Sequence, residues 1–199
     1  METCDFSILK DIQYNCAKPV SKGLRNIGYI YNYDDIDWDK VTYDETTPNI
    51  ITALPMKEGK KGYKIAIPGK TPFTGTTTSM TEGTYRNNFT KSVAVVILDA
   101  GPDVSHSIID PMANGKFLVV LENQYQGTDK KNTFQVFGVE QGLSASAIES
   151  DKYADDAQGG TSVTLQETDA PTFAYYLFET DIAATREMLE STLTVSPGE

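Results

Sequence analysis

The sequence predicts a mainly β protein, an antiparallel β-sandwich or barrel carrying one or two short helices, formed as a single domain over residues 1–199. Three observations carry this expectation. Strand-like segments bounded by Gly, Pro and Asp recur at short intervals from Gly28 to Phe178, several of them alternating apolar with polar residues. Only Val104 to Met112 and Asp181 to Leu193 have the capping residues and spacing of helices. At 199 residues, 39% hydrophobic and 23% charged, the chain has the size of one domain with a buried core, and it shows no internal repeat or interdomain linker.

Residues 1–27 give no clean period and contain both cysteines, Cys4 and Cys16. One close pair at one end is not a disulfide framework, so both are expected to be reduced. The opening lacks the basic, apolar and small-residue regions of an export signal, and no apolar run approaches the roughly 20 residues that span a bilayer. A soluble, reducing compartment and no membrane partner are expected.

Gly28 to Tyr33, with three tyrosines and Ile30, reads as a strand. Asp34 to Glu45 sets six acids beside one lysine and predicts a solvated loop around Trp38 and Tyr43. Between Ile50 and Lys64, Lys57, Lys60, Lys61 and Lys64 stand among Gly59 and Gly62, a composition suited to a hairpin turn. Tyr63, Ile65 and Ile67 then alternate as a half-buried strand up to Pro68. The Thr- and Gly-rich stretch Pro72 to Ser79 suits extended backbone or a long surface hairpin.

Tyr85 to Leu98 ends in the continuous apolar run VAVVIL and is expected to be the central strand, covered on both faces. Val104 to Met112 predicts a short helix capped by Asp103 and limited by Pro111 and Gly115. Lys116 to Tyr125, with FLVVL, is a second core strand. Thr133 to Val139, Leu143 to Ile148, Thr161 to Glu167 and Thr172 to Phe178 complete the strands. Thr180 is expected to cap the final helix, Asp181 to Leu193, with Ile182, Thr185, Met188 and Leu189 on one face.

Motifs that carry chemistry are sparse. His106 is the sole histidine, and its neighbours Ser105 and Ser107 gain nothing from adjacency, because a nucleophile must meet its base in space. One histidine and two early cysteines do not make a four-ligand zinc site. Asp35, Asp37 and Asp39 have the spacing that opens a calcium loop, but Lys40 occupies the place of the turn glycine and Thr46 that of the closing glutamate. Gly159 and Gly160 do not open a helix after a strand, so no phosphate cradle is read there. No catalytic residue, metal or cofactor is expected, and no enzyme. Carboxylate pairs of the kind that hydrolyse glycosides remain open, since only their separation in space is diagnostic.

The net charge of −11 is unevenly placed. From Val136 onward twelve acids face only Lys152 and Arg186. Nucleic-acid binding proteins neutralise phosphates with clustered Lys and Arg, so this distribution excludes a duplex-gripping surface there and leaves room for one past which DNA slides.

Within that acidic third, TFQVFGVEQGL, DKYADD and GGTSVTLQETDAPTFAYYL, from Thr133 to Leu177, resemble structural proteins of bacteriophages of gut Bacteroidetes, the ring and tail-tube proteins of crAss-like phages and related prophages. The matching features are a short strand ending at Gly138, the Gln141–Gly142 turn, an acidic loop, and Gly159 and Gly160 launching a long strand that reaches Pro171. The resemblance implies a virion structural protein of the neck or tail, made in the bacterial host cytoplasm. It further implies a sandwich or barrel whose copies close into a ring around the DNA channel and contact other neck or tail proteins. Such subunits have a long hairpin that completes a neighbour's sheet, for which Pro68 to Asn88 is the candidate here. A ring needs heterologous contacts. These are expected between Asp35, Asp37 and Asp39, or the acidic carboxyl-terminal region, on one copy and Lys57, Lys60, Lys61 and Lys64 on the next, setting register through charge. The alternative is a carbohydrate- or surface-binding module, such as a head-decoration or receptor-binding domain, using the eleven tyrosines and Trp38 as a platform.

Overall fold

The computed structural model describes residues 7–14, 20, 22–155 and 157–193. Cys4 and Cys16 lie outside them. Eleven strands form two sheets: a seven-stranded sheet in the order β2-β3-β11-β8-β7-β1-β4 and a four-stranded sheet in the order β5-β6-β10-β9. The strands are β1 (Leu24–Asn32), β2 (Thr42–Tyr43), β3 (Ile50–Ala53), β4 (Tyr63–Ala66), β5 (Phe73–Thr81) and β6 (Asn88–Ile97), then β7 (Phe117–Asn123), β8 (Phe134–Phe137), β9 (Ser144–Ser150), β10 (Thr161–Ala170) and β11 (Tyr175–Leu177). The fold is a sandwich. Among the described residues neither sheet closes into a barrel.

The seven-stranded sheet is covered on both faces. One face packs on the four-stranded sheet through Ile30, Phe117, Val119, Leu121 and Phe137, against Phe73, Val93, Val95, Val163 and Leu165. The other holds Tyr29, Tyr31, Leu118, Val120, Phe134 and Val136 under Ile36, Leu54 and Leu189. The strand covered on both sides is therefore β7, whose FLVVL run is buried throughout. In β6 the expected double coverage is absent: Lys91, Val93 and Val95 are buried while the residues between them are half-exposed, because among the described residues no layer covers the outer side of its sheet.

Gly28 sets the spacing of the layers. A Cβ there would come within 2.5 Å of the Phe73 ring and 2.8 Å of Leu121, so the two sheets approach where β1 has no side chain.

Several expectations are corrected. The lysine-rich segment before β4 is not a hairpin turn; β4 is one edge of the large sheet and β3 is next to the opposite edge strand β2, and residues 54–62 run between them. Ile36, inside the loop read as solvated, is fully buried and bridges to Met56. Strand β11 pairs antiparallel with β8 but parallel with β3, the one parallel pair among the named strands.

The helix after β6 runs through α1 (Pro102–Val104), a π turn (Ser105–Ile109) and α2 (Asp110–Asn114). Gly101, not Asp103, is the N-cap. Asp103 instead accepts a hydrogen bond from Ser107 Oγ at 2.9 Å. Pro111 sits inside the helical stretch: the π turn directly precedes it, with Asp110 N bonded to Ser105 O, and so absorbs the break that a residue without an N–H imposes. The final helix α3 (Ile182–Ser191) is capped by Asp181, whose side chain accepts from Ala184 N at 2.9 Å, and not by Thr180. Its buried face is Thr185 and Leu189, flanked by Ile182 and Met188.

Candidate assembly surface

The charged residues expected between copies meet largely inside one chain. Asp35 accepts from Asn32 Nδ2 at 2.9 Å and pairs with Lys60 at 3.1 Å, and these contacts, the Asn32 bond first, hold its carboxyl below the usual range. Asp37 pairs with Lys40 at 2.6 Å, Lys57 Nζ donates to Asp34 O at 2.7 Å, and Lys64 pairs with Glu190 at 3.3 Å. The physical cause is the Ile36–Met56 bridge, which lays the acidic loop beside the lysine-rich crossing. Asp39 and Lys61 form no ion pair among the described residues. Exposed pairs of this kind are screened by solvent, so they orient the crossing more than they hold it.

A charged cluster that sequence reasoning missed lies between the layers. Lys91, in phase with Val93 and Val95, is 1% exposed; its Nζ lies 2.9 Å from Glu140 Oε2 and 3.4 Å from Glu167 Oε2, with the Tyr175 ring at 5.5 Å. Glu167 Oε1 accepts from Glu140 N at 3.0 Å and Gln141 N at 2.8 Å. Tyr33 hydroxyl bonds the Val139 and Glu140 carbonyls from the other side. The connection from β8 to β9, where Gly138 (φ +86) and Gly142 (φ +77) turn the chain from one sheet to the other, is thereby fixed at both its N–H and C=O groups. The signal was in the alternation, which points Lys91 and Glu167 inward with the valines and leucines beside them.

The four-stranded sheet offers two uncommon surfaces. Its outward row of Thr77, Ser79, Thr90, Ser92, Ser162 and Thr164 is hydroxyl-rich, with Thr77 and Ser92 bonded at 2.6 Å across the strands. Its edge strand β5 is nine residues long and carries no charge or proline. Past Phe73 the inward residues of β5, Thr76, Thr78 and Met80, are not covered by the large sheet. Met80 stands directly opposite Phe89, which meets Phe173 edge-on at 5.5 Å, and Met80 and Phe173 are 61% and 56% exposed. With Tyr85 fully exposed at the turn, the hairpin ends in an apolar patch.

The other motifs fall apart in space. His106 is exposed on the π turn, while Ser105 and Ser107 donate to Gly101 O and Asp103 O. Among the described residues no three metal-ligating side chains converge, and no helix is long and apolar enough to cross a membrane. Trp38 packs against Tyr33 with ring centroids 4.7 Å apart and planes tilted by 38°, and its indole N–H donates to Tyr33 O. Tyr85 and Tyr153 project from opposite ends of the four-stranded sheet, separated by the ten residues of β6, roughly 30 Å. Two open clefts, one lined by Gln141, Ser144 and Gln166 and the other by Arg25, Asn26 and Lys70, have no aromatic side chain in their lining. Comparison of the chain with family models, with curated proteins and with solved structures gave no match.

Proposed function

We propose that this chain is a bacteriophage virion structural protein, a subunit of an oligomeric ring in the neck or tail that forms part of the DNA conduit. The observation that carries the reading is the β5–β6 hairpin, with its open uncharged edge and the apolar patch of Met80, Phe89 and Phe173 at its end. Exposed apolar patches beside an open strand edge are costly in a monomer and useful in an assembly. The hairpin overlaps Pro68 to Asn88, the segment read from the sequence as the candidate for the element that completes a neighbour's sheet in phage ring and tail-tube proteins.

Charge supports the conduit. Glu149, Asp151 and Asp155 lie in the segment that joins β9 to β10, whose one basic residue is Lys152, and such a surface repels phosphates instead of holding them. DNA then passes without specific binding, and the partners are further copies and other neck or tail proteins of the virion. Asp39 and Lys61 remain available for contact between copies. A carbohydrate-binding module is less well supported, because the fully exposed aromatics are far apart and the clefts lack a stacking ring.

Sedimentation velocity over a wide concentration range, with fluorescence anisotropy on labelled duplex DNA, tests the reading. One discrete oligomer with no salt-sensitive DNA affinity is expected. A monomer that binds an immobilised glycan, or a protein that binds duplex tightly at low salt, would replace it.

A further inference from the structure

We propose that Lys91 and Glu167 condense into an intramolecular amide, formed between the Lys91 amine and the Glu167 side-chain carboxyl, with Glu140 carrying the protons. The ionic cluster between the two sheets is the reactant state. Lys91 on β6 and Glu167 on β10 are directly opposed in the strand register, so both side chains enter the space between the layers from neighbouring strands. Their side chains are 1% and 0% exposed, and Lys91 Nζ lies 3.4 Å from Glu167 Oε2. An amine and an acyl group held this close need no diffusive encounter.

The surroundings of Glu167 single out its carboxyl as the acyl partner, because its two oxygens are treated differently. Oε1 accepts from Glu140 N at 3.0 Å and Gln141 N at 2.8 Å, a pair of fixed backbone donors of the kind that stabilises the oxyanion of an acyl-transfer intermediate. Oε2 is buried and, among the described residues, has no hydrogen bond: Nζ is within ion-pair distance of it without the geometry of a hydrogen bond. A buried carboxylate oxygen without a donor is costly as a structural element and suited to depart. Glu140 is placed as the base. Its Oε2 lies 2.9 Å from Nζ, its Oε1 accepts from Thr172 N at 3.3 Å, and its side chain, 14% exposed, is the member of the three that reaches solvent.

The step balances within the chain. Glu140 takes a proton from the Lys91 ammonium, the freed Nζ lone pair attacks Glu167 Cδ, and negative charge gathers on Oε1 against the two N–H groups. Nζ gives up a second proton, and the Cδ–Oε2 bond breaks as both protons reach Oε2 through Glu140, releasing one water. An ammonium and a carboxylate become a neutral amide, Glu140 ends as it began, and no other reactant is consumed. Burial then shields the amide from hydrolysis. The reaction occurs once per chain, whose only substrate is itself. The bond would tie β6, the inner strand of the open hairpin, to β10 in the middle of the small sheet. It rests on nothing in the ring reading, so either can fail alone.

The test is mass spectrometry of the full chain under denaturing conditions, followed by tryptic mapping. The wild type is expected to fall short of its sequence mass by one water and to give a branched peptide in which position 91, left uncut by trypsin, is joined to position 167. Glu140→Gln, which keeps the size of the side chain but cannot carry the protons, and Lys91→Met should each return to the full sequence mass at unchanged circular dichroism. The wild type decides without either variant: a chain of full sequence mass that trypsin cuts after Lys91 would overturn the proposal, and so would a branch from Lys91 to Glu140. A 91–167 bond that forms undiminished in Glu140→Gln would overturn the role given to Glu140.

Discussion

Lys91 is the residue on which the interior depends most. Its ammonium is 1% exposed between Glu140 and Glu167, and the Glu167 carboxylate in turn holds the β8–β9 connection through Glu140 N and Gln141 N. Removing one member of a buried ionic group leaves uncompensated charge and costs about 3–5 kcal/mol. Lys91→Ala is therefore expected to lower the urea midpoint by that equivalent, and Lys61→Ala, on the surface, to leave it unchanged. The tyrosines give a pH prediction. Burial pushes the Tyr31 hydroxyl up to about 12, partly offset by its bond with Thr192, and burial followed by the Glu190 hydrogen bond raises Tyr29 further. A group with a raised folded pKa holds more protons folded than unfolded between the two values, so its stabilisation is complete below about pH 10 and lost as pH rises toward 12. For Tyr31 the loss is roughly 2–3 kcal/mol. Tyr31→Phe should flatten the alkaline limb by about half of that, roughly 1.4 kcal/mol, between pH 8 and pH 11, read from urea midpoints at the two values.

At the scale of elements, the close approach at Gly28 and the cap at Asp181 are the sharpest handles. Gly28→Ala would drive a methyl into Phe73 and Leu121 and is expected to cost about 1–3 kcal/mol. Asp181→Ala removes the bond to Ala184 N and should cost about 1 kcal/mol, both read as thermal midpoints. Most elements were legible in sequence because their periods are strong: the β7 run, the alternation of β10, and the Thr185–Leu189 face of α3. What was not legible has a common cause. The choice of β7 over β6 as the doubly covered strand depends on what packs outside each sheet, and that is tertiary information. The parallel β3–β11 pair joins segments more than 120 residues apart. Pro111 in mid-helix depends on a π turn that residue types do not announce. At the site, the inward phase of Lys91 and Glu167 was readable, but the in-chain pairing of Asp35 with Lys60 was not, because it follows from the buried Ile36.

The whole molecule is a covered seven-stranded sheet bearing a smaller sheet whose outer face, edge and hairpin end are open. One side is finished by α3 and the crossing residues 54–62, while among the described residues the other leaves a strand edge and apolar surface open, the asymmetry on which the proposed assembly rests. If charge sets register between copies, Lys61→Glu is the clean perturbation, since Lys60 is engaged by Asp35 within the chain. It should weaken association more at low than at high salt, measured by sedimentation. The central claim, a ring-forming conduit subunit, is tested most directly by negative-stain electron microscopy of the purified full chain across a wide concentration range. Closed rings of uniform size with a central hole wide enough for duplex DNA are expected. Monomers at every concentration, or compact oligomers without a hole, would contradict it.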